Sequence, residues 1–464
     1  MTIQLLARYV LSVLFLLATA PTHTVAPNTV VATINVGINP AGLAITPDNR
    51  FAYVANNNNY TMPQGNTVSV LDLTNNLLDT TITSTVFNEP YTVTINKAGT
   101  KAYVTNSNST TVSIIDIATN TAPPLATIGG FDGPSGMVIT PDGRTAYVNN
   151  YGGPEGVGSG NATTVRVVDL ITNTIVGAPI TVGLAPASLA ISPDGKFVYV
   201  INYVDGNPGT GTMSVIRTSD NTVINTIPGF SGPFAIAITP DGKFAYVTNF
   251  GSNNFFPYGT TVSVVDLQSY TIVKTINLDI QPSGIAITPD GRYAYASNYD
   301  TLYTSTTFSS LVAGQGTINI IDRATNTVIP PIIAVGQSPD AIAISSDGRF
   351  AYVSNYTSNS VSVIALPTFQ ISARGCKIRN TFLMQEDLVN KITWTASGTS
   401  LPKSYSIYRD AALTDLVATI PATAPLEFFD HYRNPALVYT YYLVGTNAVG
   451  TTSNPVAISV TQNC

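Results

Sequence analysis

A single phrase recurs seven times along this chain and constrains its fold more than any other feature. It reads Pro-x-Gly-apolar-Ala-Ile-Thr-Pro-Asp-Gly-Arg/Lys-Phe-Ala-Tyr-Val-x-Asn, with small departures from copy to copy. The copies are Pro40–Asn56, Pro90–Asn106, Pro134–Asn150, Pro186–Asn202, Pro233–Asn249, Pro282–Asn298 and Pro339–Asn355. The tyrosine of the phrase stands at Tyr53, Tyr103, Tyr147, Tyr199, Tyr246, Tyr295 and Tyr352. A repeat of this period with several strands per unit signals an all-β, seven-bladed β-propeller, not a helical solenoid.

Each copy divides into four strands. Gly42–Thr46 gives the first, and Pro47-Asp48-Asn49 (Pro-Asp-Gly in most later copies) gives a tight hairpin. Proline presets φ there, and Asn or Gly accepts the left-handed position. Arg50–Ala55 is the second strand and Thr67–Leu73 the third; Thr222–Ile227 exemplifies the fourth. First strands are rich in Gly and Ala, as blades crowding near an axis require. The second copy carries Thr92 and Thr94 instead, which predicts a slightly looser contact.

The strand count also predicts how the ring closes. The seventh copy ends on its third strand, Ser360–Ala365, with no fourth strand after it. An orphan fourth-strand pattern, Asn28–Gly37, sits at the other end of the chain. It matches Asn221–Gly229. The N-terminal segment is therefore expected to complete the last blade, removing two open sheet edges.

The phrase resembles the YVTN repeat family of exported and surface-layer β-propellers. Its namesake letters stand as Tyr103-Val104-Thr105-Asn106 and Tyr246-Val247-Thr248-Asn249, and the resemblance covers about residues 27–366. It implies a scaffold on which function must be argued from sites.

Residues 1–26 are expected to be a signal peptide. Arg8 precedes an apolar run, Tyr9–Ala20, that is too short to span a bilayer. Ala18-Thr19-Ala20 and Ala26 each offer a cleavage position, and each is followed by proline. No other segment could cross a membrane as a helix. Charged residues are only 10% of the chain and the net charge is −6, so Thr, Asn, Ser and Tyr must carry solubility. These features point to an exported protein, periplasmic, cell-surface or extracellular.

The repeat stops at Pro367. Residues 367–464 resemble a fibronectin type III sandwich, an immunoglobulin-like β-sandwich. The match rests on Ile392-Thr393-Trp394, the strand Tyr405–Tyr408, and Tyr439, Leu443, Gly445, Asn447 and Gly450 in register. The only two cysteines, Cys376 and Cys464, bracket this segment. In an exported chain they are expected to form a disulfide. Closing a loop of that length stabilises by roughly 4–5 kcal/mol at most in the chain-entropy picture.

Several chemistries lack their residues. The repeat region has neither histidine nor cysteine, since His23 precedes it and His431 follows it. Histidine-based lyases, zinc sites and cysteine nucleophiles therefore have no basis there. The single Trp394 also lies outside the repeats. Gly-rich stretches such as Gly152–Gly160 do not lead from a strand into a helix, so they are not nucleotide loops. A carboxylate enzyme, a metal-dependent hydrolase or lactonase in the channel, stays open as the alternative.

The remaining chemistry concentrates on one face. Loops before the first strand and after the second form the top of a propeller; the Pro-Asp-Gly hairpins form the bottom. Most aspartates sit at fixed repeat positions and read as turn caps. The off-pattern acids Glu89, Asp132, Glu155, Asp205, Asp279, Asp300 and Asp340 fall in top loops. Every Lys and Arg of the repeats falls in a strand or on the bottom. The expectation is a purely acidic top face that attracts cations and repels phosphate. No basic stripe exists for nucleic acid. Aromatics join the acids: Tyr151, Tyr203, Phe250, Tyr299 and Tyr356 follow the repeat's Asn directly, and Tyr60, Phe255, Phe256, Tyr258 and Tyr303 lie in the loops.

The sequence thus predicts a non-catalytic binding or adhesion protein that grips a glycan or protein partner through Tyr151, Tyr203, Phe250, Tyr299, Tyr356, Glu89, Asp132, Glu155, Asp205, Asp300 and Asp340. A structural surface component is the third reading. No cofactor is required; calcium bridging the acids to a glycan is the one it admits, although no compact Asp-x-Asp loop supports a dedicated site.

Overall fold

The computed structural model describes residues 27–57, 66–121, 127–152, 162–204, 209–251, 258–279, 281–299, 315–367, 370–382, 385–397, 402–410, 413–431, 437–446 and 456–460. Each repeat makes one four-stranded antiparallel sheet, and there are seven. Blade one is Pro40–Ile45, Phe51–Asn56, Thr67–Asp72 and Leu77–Thr83, paired in chain order. The next five blades repeat this order. Blade seven joins Pro339–Ile344, Phe350–Asn355 and Ser360–Ala365 to the N-terminal strand Thr29–Asn35, which pairs with Ser360–Ala365. The ring closes as the strand count predicts.

The hairpins form as their residues dictate. Thr46 Oγ1 donates to Asp48 Oδ1 at 2.6 Å, Arg50 N donates to the same oxygen at 3.1 Å, and Asn49 takes φ 57°. The Thr46 hydroxyl bond holds the Asp48 carboxyl below its usual range, although burial opposes it. The aspartates at third-strand ends behave likewise: Thr74 donates to Asp72 through its N–H and hydroxyl at 2.8 and 2.6 Å. These acids are structural caps.

Neighbouring blades are joined by two recurring devices. The first is an apolar seam: Tyr53, Val68, Val70 and Ile82 of one blade pack on Val93, Ala102, Val104 and Ile115 of the next. The second uses the repeat tyrosine, whose hydroxyl donates to an Asn in the outer turn of the following blade. Tyr53 reaches Asn120 at 2.5 Å, Tyr147 reaches Asn221 at 2.6 Å, Tyr246 bonds Asn326, and Tyr295 reaches Asn28 at 2.7 Å. Each acceptor Asn has positive φ, which Asn tolerates better than most residues. Burial pushes the Tyr53 and Tyr147 phenols up to about 12, so they stay protonated donors. Tyr147→Phe is expected to lower stability by about 1 kcal/mol, and adding Asn221→Gly, which keeps the positive φ, should cost little more. Additive losses in urea titrations of the double variant would show that the two side chains do not act as a pair.

Along the channel, hydroxyls of one blade donate to backbone carbonyls of the next. Thr248 Oγ1 reaches Ser283 O at 2.7 Å, Ser283 Oγ reaches Pro339 O at 2.7 Å, and Ser354 Oγ reaches Ala41 O at 2.5 Å. Thr92 and Thr94 belong to this set, donating to Ser135 O at 2.9 Å and Met137 O at 2.8 Å. At this seam, where a slightly looser contact is expected, the threonine hydroxyls satisfy carbonyls of the neighbouring innermost strand.

Beyond Pro367 the chain forms two more antiparallel sheets. One contains Gln370–Phe382, Gln385–Ser397 and Glu427–Asp430; the other orders Leu416–Pro421, Ser404–Tyr408, Tyr439–Thr446 and Val456–Val460. Ile392 and Trp394 of the first share a core with Tyr405, Ile407, Tyr441, Leu443, Ile458 and Val460 of the second, which makes a β-sandwich. Inside it, Asn390 Nδ2 donates to the Tyr441 hydroxyl at 2.9 Å, which donates to Asp430 Oδ2 at 2.6 Å. Among the described residues no helix is long and apolar enough to cross a membrane.

Candidate functional site at the channel mouth

The site is built where innermost strands begin. In every blade the residue before the opening proline has positive φ: Asn39, Glu89, Gly133, Ala185, Gly232, Gln281 and Ser338, between 49° and 57°. Four of the seven are neither glycine nor asparagine, and the conformation costs them roughly 1–2 kcal/mol each. Its carbonyl accepts the N–H of the residue after the repeat's Asn, at 2.9–3.0 Å in all seven blades. That residue is Asn57, Ser107, Tyr151, Tyr203, Phe250, Tyr299 or Tyr356. A strained backbone position thus hangs a ring of side chains from fixed points around the axis.

Five consecutive members of that ring are aromatic, in blades three to seven. Phe250 is buried; Tyr151, Tyr203, Tyr299 and Tyr356 are half-buried. The Phe250 ring lies 5.8 Å from that of Tyr299, and Tyr299 lies 6.3 Å from Tyr356. The Tyr203 hydroxyl donates to Gly251 O of the next blade at 2.6 Å. These rings therefore pack against neighbouring blades and each other while four keep part of their surface open. Blades one and two break the arc with polar groups: Asn57 Nδ2 donates to Pro90 O at 3.4 Å and Ser107 Oγ to Glu89 O at 3.0 Å.

One step along the innermost strand stands a second ring: Ala41, Tyr91, Ser135, Ala187, Phe234, Ser283 and Asp340. Phe234 stacks on Phe250 at 5.1 Å. Tyr91 is near enough to Asp340, Tyr151, Tyr299 and Tyr356 for their charges to act on its phenol; burial, first, and those neighbours push it well above its ordinary value. Asp340 is 8% exposed. No carboxylate bond to it occurs among the described residues, and burial alone pushes its carboxyl up to about 7.

The stability consequence has a definite sign. A carboxyl whose folded value exceeds its unfolded value destabilises progressively as pH rises from about 4 to about 7. Asp340→Asn removes that effect. The variant is expected to match the parent near pH 4 and to exceed it by a few kcal/mol at pH 8, order of magnitude. Melting temperatures of both proteins at the two pH values provide the check. A gap that does not grow with pH would show that Asp340 ionises freely.

Burial weakens the field of several of the acids expected on the top face. Asp132 is exposed, but Glu89 and Asp340 are buried, and Asp279 is half-buried. Burial raises the Glu89 carboxyl, and Asn108 Nδ2 partly compensates from 3.3 Å. Burial likewise raises Asp279. Buried carboxyls of this kind are poor sources of long-range field. Glu155, Asp205 and Asp300 lie outside the described residues, as do Tyr60, Phe255, Phe256 and Tyr303. The structure thus places Tyr151, Tyr299, Tyr356 and Asp340 within electrostatic reach of Tyr91, with Phe250 and Tyr203 continuing the arc; Glu89 and Asp132 sit toward the polar gap. Tyr91 and Phe234 escape a reading by motif because they occupy the variable second position of the phrase. Their size was the available signal, since five other copies hold Ala, Ser or Asp there.

Among the described residues no group of three or more His, Cys, Asp or Glu gathers as a metal site would. A depression on the bottom face, lined by Asp194, Asp241, Lys243 and Asp266, is occupied by turn caps: Thr239 Oγ1 donates to Asp241 at 2.5 Å and Ser192 Oγ to Asp194 at 2.7 Å.

Comparison with known proteins agrees with this architecture. No curated protein matches the chain. Among solved structures, hydrazine synthase from Kuenenia stuttgartiensis superposes with a TM-score of 0.58 at 22% identity, covering 74% of this chain and 98% of that one. At that identity the likeness speaks for fold alone. The family model described as "Lactonase, 7-bladed beta-propeller" matches residues 17–125 and 218–366, more than half of the chain. Seven sheets in a closed ring and this match lead to one conclusion: the chain belongs to the lactonase family of seven-bladed β-propellers.

Proposed function

We propose that this protein is an exported recognition propeller that takes its ligand, a glycan or protein group, at the top of the channel. The observation that carries this reading is the aromatic arc Tyr151–Tyr203–Phe250–Tyr299–Tyr356, hung at equal backbone anchors around the buried Asp340. Half-buried rings on a rigid scaffold supply contact area at little cost in conformational entropy. The repeat's resemblance to exported YVTN propellers and the leader-like residues 1–26 support export; those residues lie outside the described part. Residues 367–464 serve as a fibronectin type III-like spacer or adhesion module. Its pairing of three strands with four suits that family. The Cys376–Cys464 disulfide is part of this proposal; Cys464 lies outside the described residues.

A screen of the purified protein on arrays of glycans and extracellular proteins tests the reading. Tyr203, Phe250 and Tyr299 changed together to Ala provide the control, with circular dichroism confirming the fold. A hit lost in the control supports the channel mouth; a hit that survives moves recognition to the sandwich.

Family membership and a buried carboxyl near neutrality favour a second reading, lactone hydrolysis with Asp340 as general base. Turnover of a lactone panel by the parent, abolished in Asp340→Asn, would make the protein an enzyme. Turnover unaffected by that change would place any such chemistry elsewhere.

A further inference from the structure

We propose that the channel mouth binds an organic ammonium ion, with Tyr91, Tyr299, Tyr356 and Tyr151 around the cation and the Asp340 carboxylate as its counter-ion. This rests on the channel mouth being the ligand site. Three observations converge. Tyr151, Tyr299 and Tyr356 hang from equivalent backbone anchors of three blades, Tyr91 stands at the start of the innermost strand of a fourth, and the Tyr299 and Tyr356 rings lie 6.3 Å apart. Ring faces attract a cation by their quadrupole, and more so when water is excluded. Asp340 is nine-tenths buried and has no ion-pair partner among the described residues. Finally, the sequence offers no internal cation: none of the top loops, described or not, contains Lys or Arg.

A buried carboxylate without a partner is costly, and a ligand that brings the missing positive charge recovers that cost on binding. A neutral sugar offers hydroxyls to the carboxylate but leaves its charge unbalanced. An anionic ligand would meet repulsion from Asp340 and from the π faces. Strongly hydrated metal ions need several oxygen ligands, whereas among the described residues no three His, Cys, Asp or Glu side chains gather there. An alkylated ammonium, weakly hydrated and apolar at its rim, fits both the rings and the carboxylate.

The test is titration calorimetry of the full chain with choline, with N-acetyl-lysinamide and its ε-trimethyl form, and with 3,3-dimethylbutan-1-ol, the neutral isostere of choline. At least one cation is expected to bind, and the neutral alcohol is expected not to. The arms distinguish a free amine from a lysyl side chain of a partner. Asp340→Asn should weaken the cation by about tenfold or more; Tyr356→Ala should weaken it similarly while Tyr356→Phe retains it, because the ring face acts and not the hydroxyl. If Asp340→Asn does not fold, the two Tyr356 variants carry the test. Equal binding of the neutral alcohol, indifference to the Asp340 change, or no binding of any cation to folded protein at millimolar concentration would each overturn the proposal. An array hit that depends on the aromatic arc but is not displaced by these cations would overturn the ammonium assignment and leave the channel-mouth reading standing.

Discussion

Deleting residues 27–37 is expected to abolish cooperative folding of the propeller. The loss is not confined to one edge strand. Thr29–Asn35 pairs along six positions with Ser360–Ala365, a strand buried at every residue. Flanking bonds extend the pairing: Asn28 N donates to Ala365 O at 2.7 Å and Val36 N to Asn359 O at 3.0 Å. Ile34, 4% exposed, belongs to the core between the last blade and the first, with Val54, Leu71, Val361 and Val363. Tyr295 of blade six also loses Asn28, the acceptor that links it to blade seven. Removing the segment thus breaks two inter-blade seams and exposes a long apolar edge. A graded companion, Ile34→Ala, should cost about 2–5 kcal/mol by leaving a cavity. Thermal melts followed by circular dichroism read both variants. A truncated protein that melts cooperatively at the parent temperature would falsify closure by the N-terminal strand.

Gly284→Val is the second variant expected to lose the native propeller. Gly284 sits on the innermost strand of blade six, and a Cβ there would lie 2.6 Å from Asp340 O and 3.0 Å from the Ala341 Cα. Both obstacles are backbone of blade seven, so no side-chain rotation relieves them. Separating the strands would also strain two hydroxyl bridges across the seam, Ser283 Oγ to Pro339 O and Ser297 Oγ to Asp340 O. Overpacking in a dense core costs about 1–3 kcal/mol when side chains can yield, and more when backbones must part. Gly42 meets the same barrier, with Tyr91 O at 2.6 Å. Because the obstructed carbonyl belongs to Asp340, even a surviving Gly284→Ala protein should bind its ligand more weakly than the parent. Normal stability and normal binding in Gly284→Val would mean that the blades are not in contact at the axis.

Much of the architecture was legible because repetition amplifies weak local signals. One turn of the Pro-Asp-Gly kind predicts little, but seven turns at that position, four of them Pro-Asp-Gly itself, predict seven hairpins, and each falls where the phrase places it. The closing strand was legible for the same reason: once each blade needs four strands, an orphan at one end must complete the other. The aspartate caps followed from turn chemistry alone. The candidate site was legible only in part. Position after the repeat's Asn placed the five aromatics in the top loops, and they line the mouth together. The burial of the acids was not legible: Glu89 and Asp340 are folded inward.

The sequence by itself determined the blade count, the hairpins and the route of closure. These depend on short-range turn and strand preferences repeated at a fixed period. Only the tertiary structure decided that Tyr91 from blade two comes within electrostatic reach of Asp340 from blade seven and of tyrosines from blades three, six and seven. It also decided that the Thr92 and Thr94 hydroxyls bond to carbonyls of the next blade. Those outcomes arise from the ring's convergence on one axis, where residues far apart in the chain share a small volume. Burial there, not residue type, sets which carboxyl stays protonated near neutral pH.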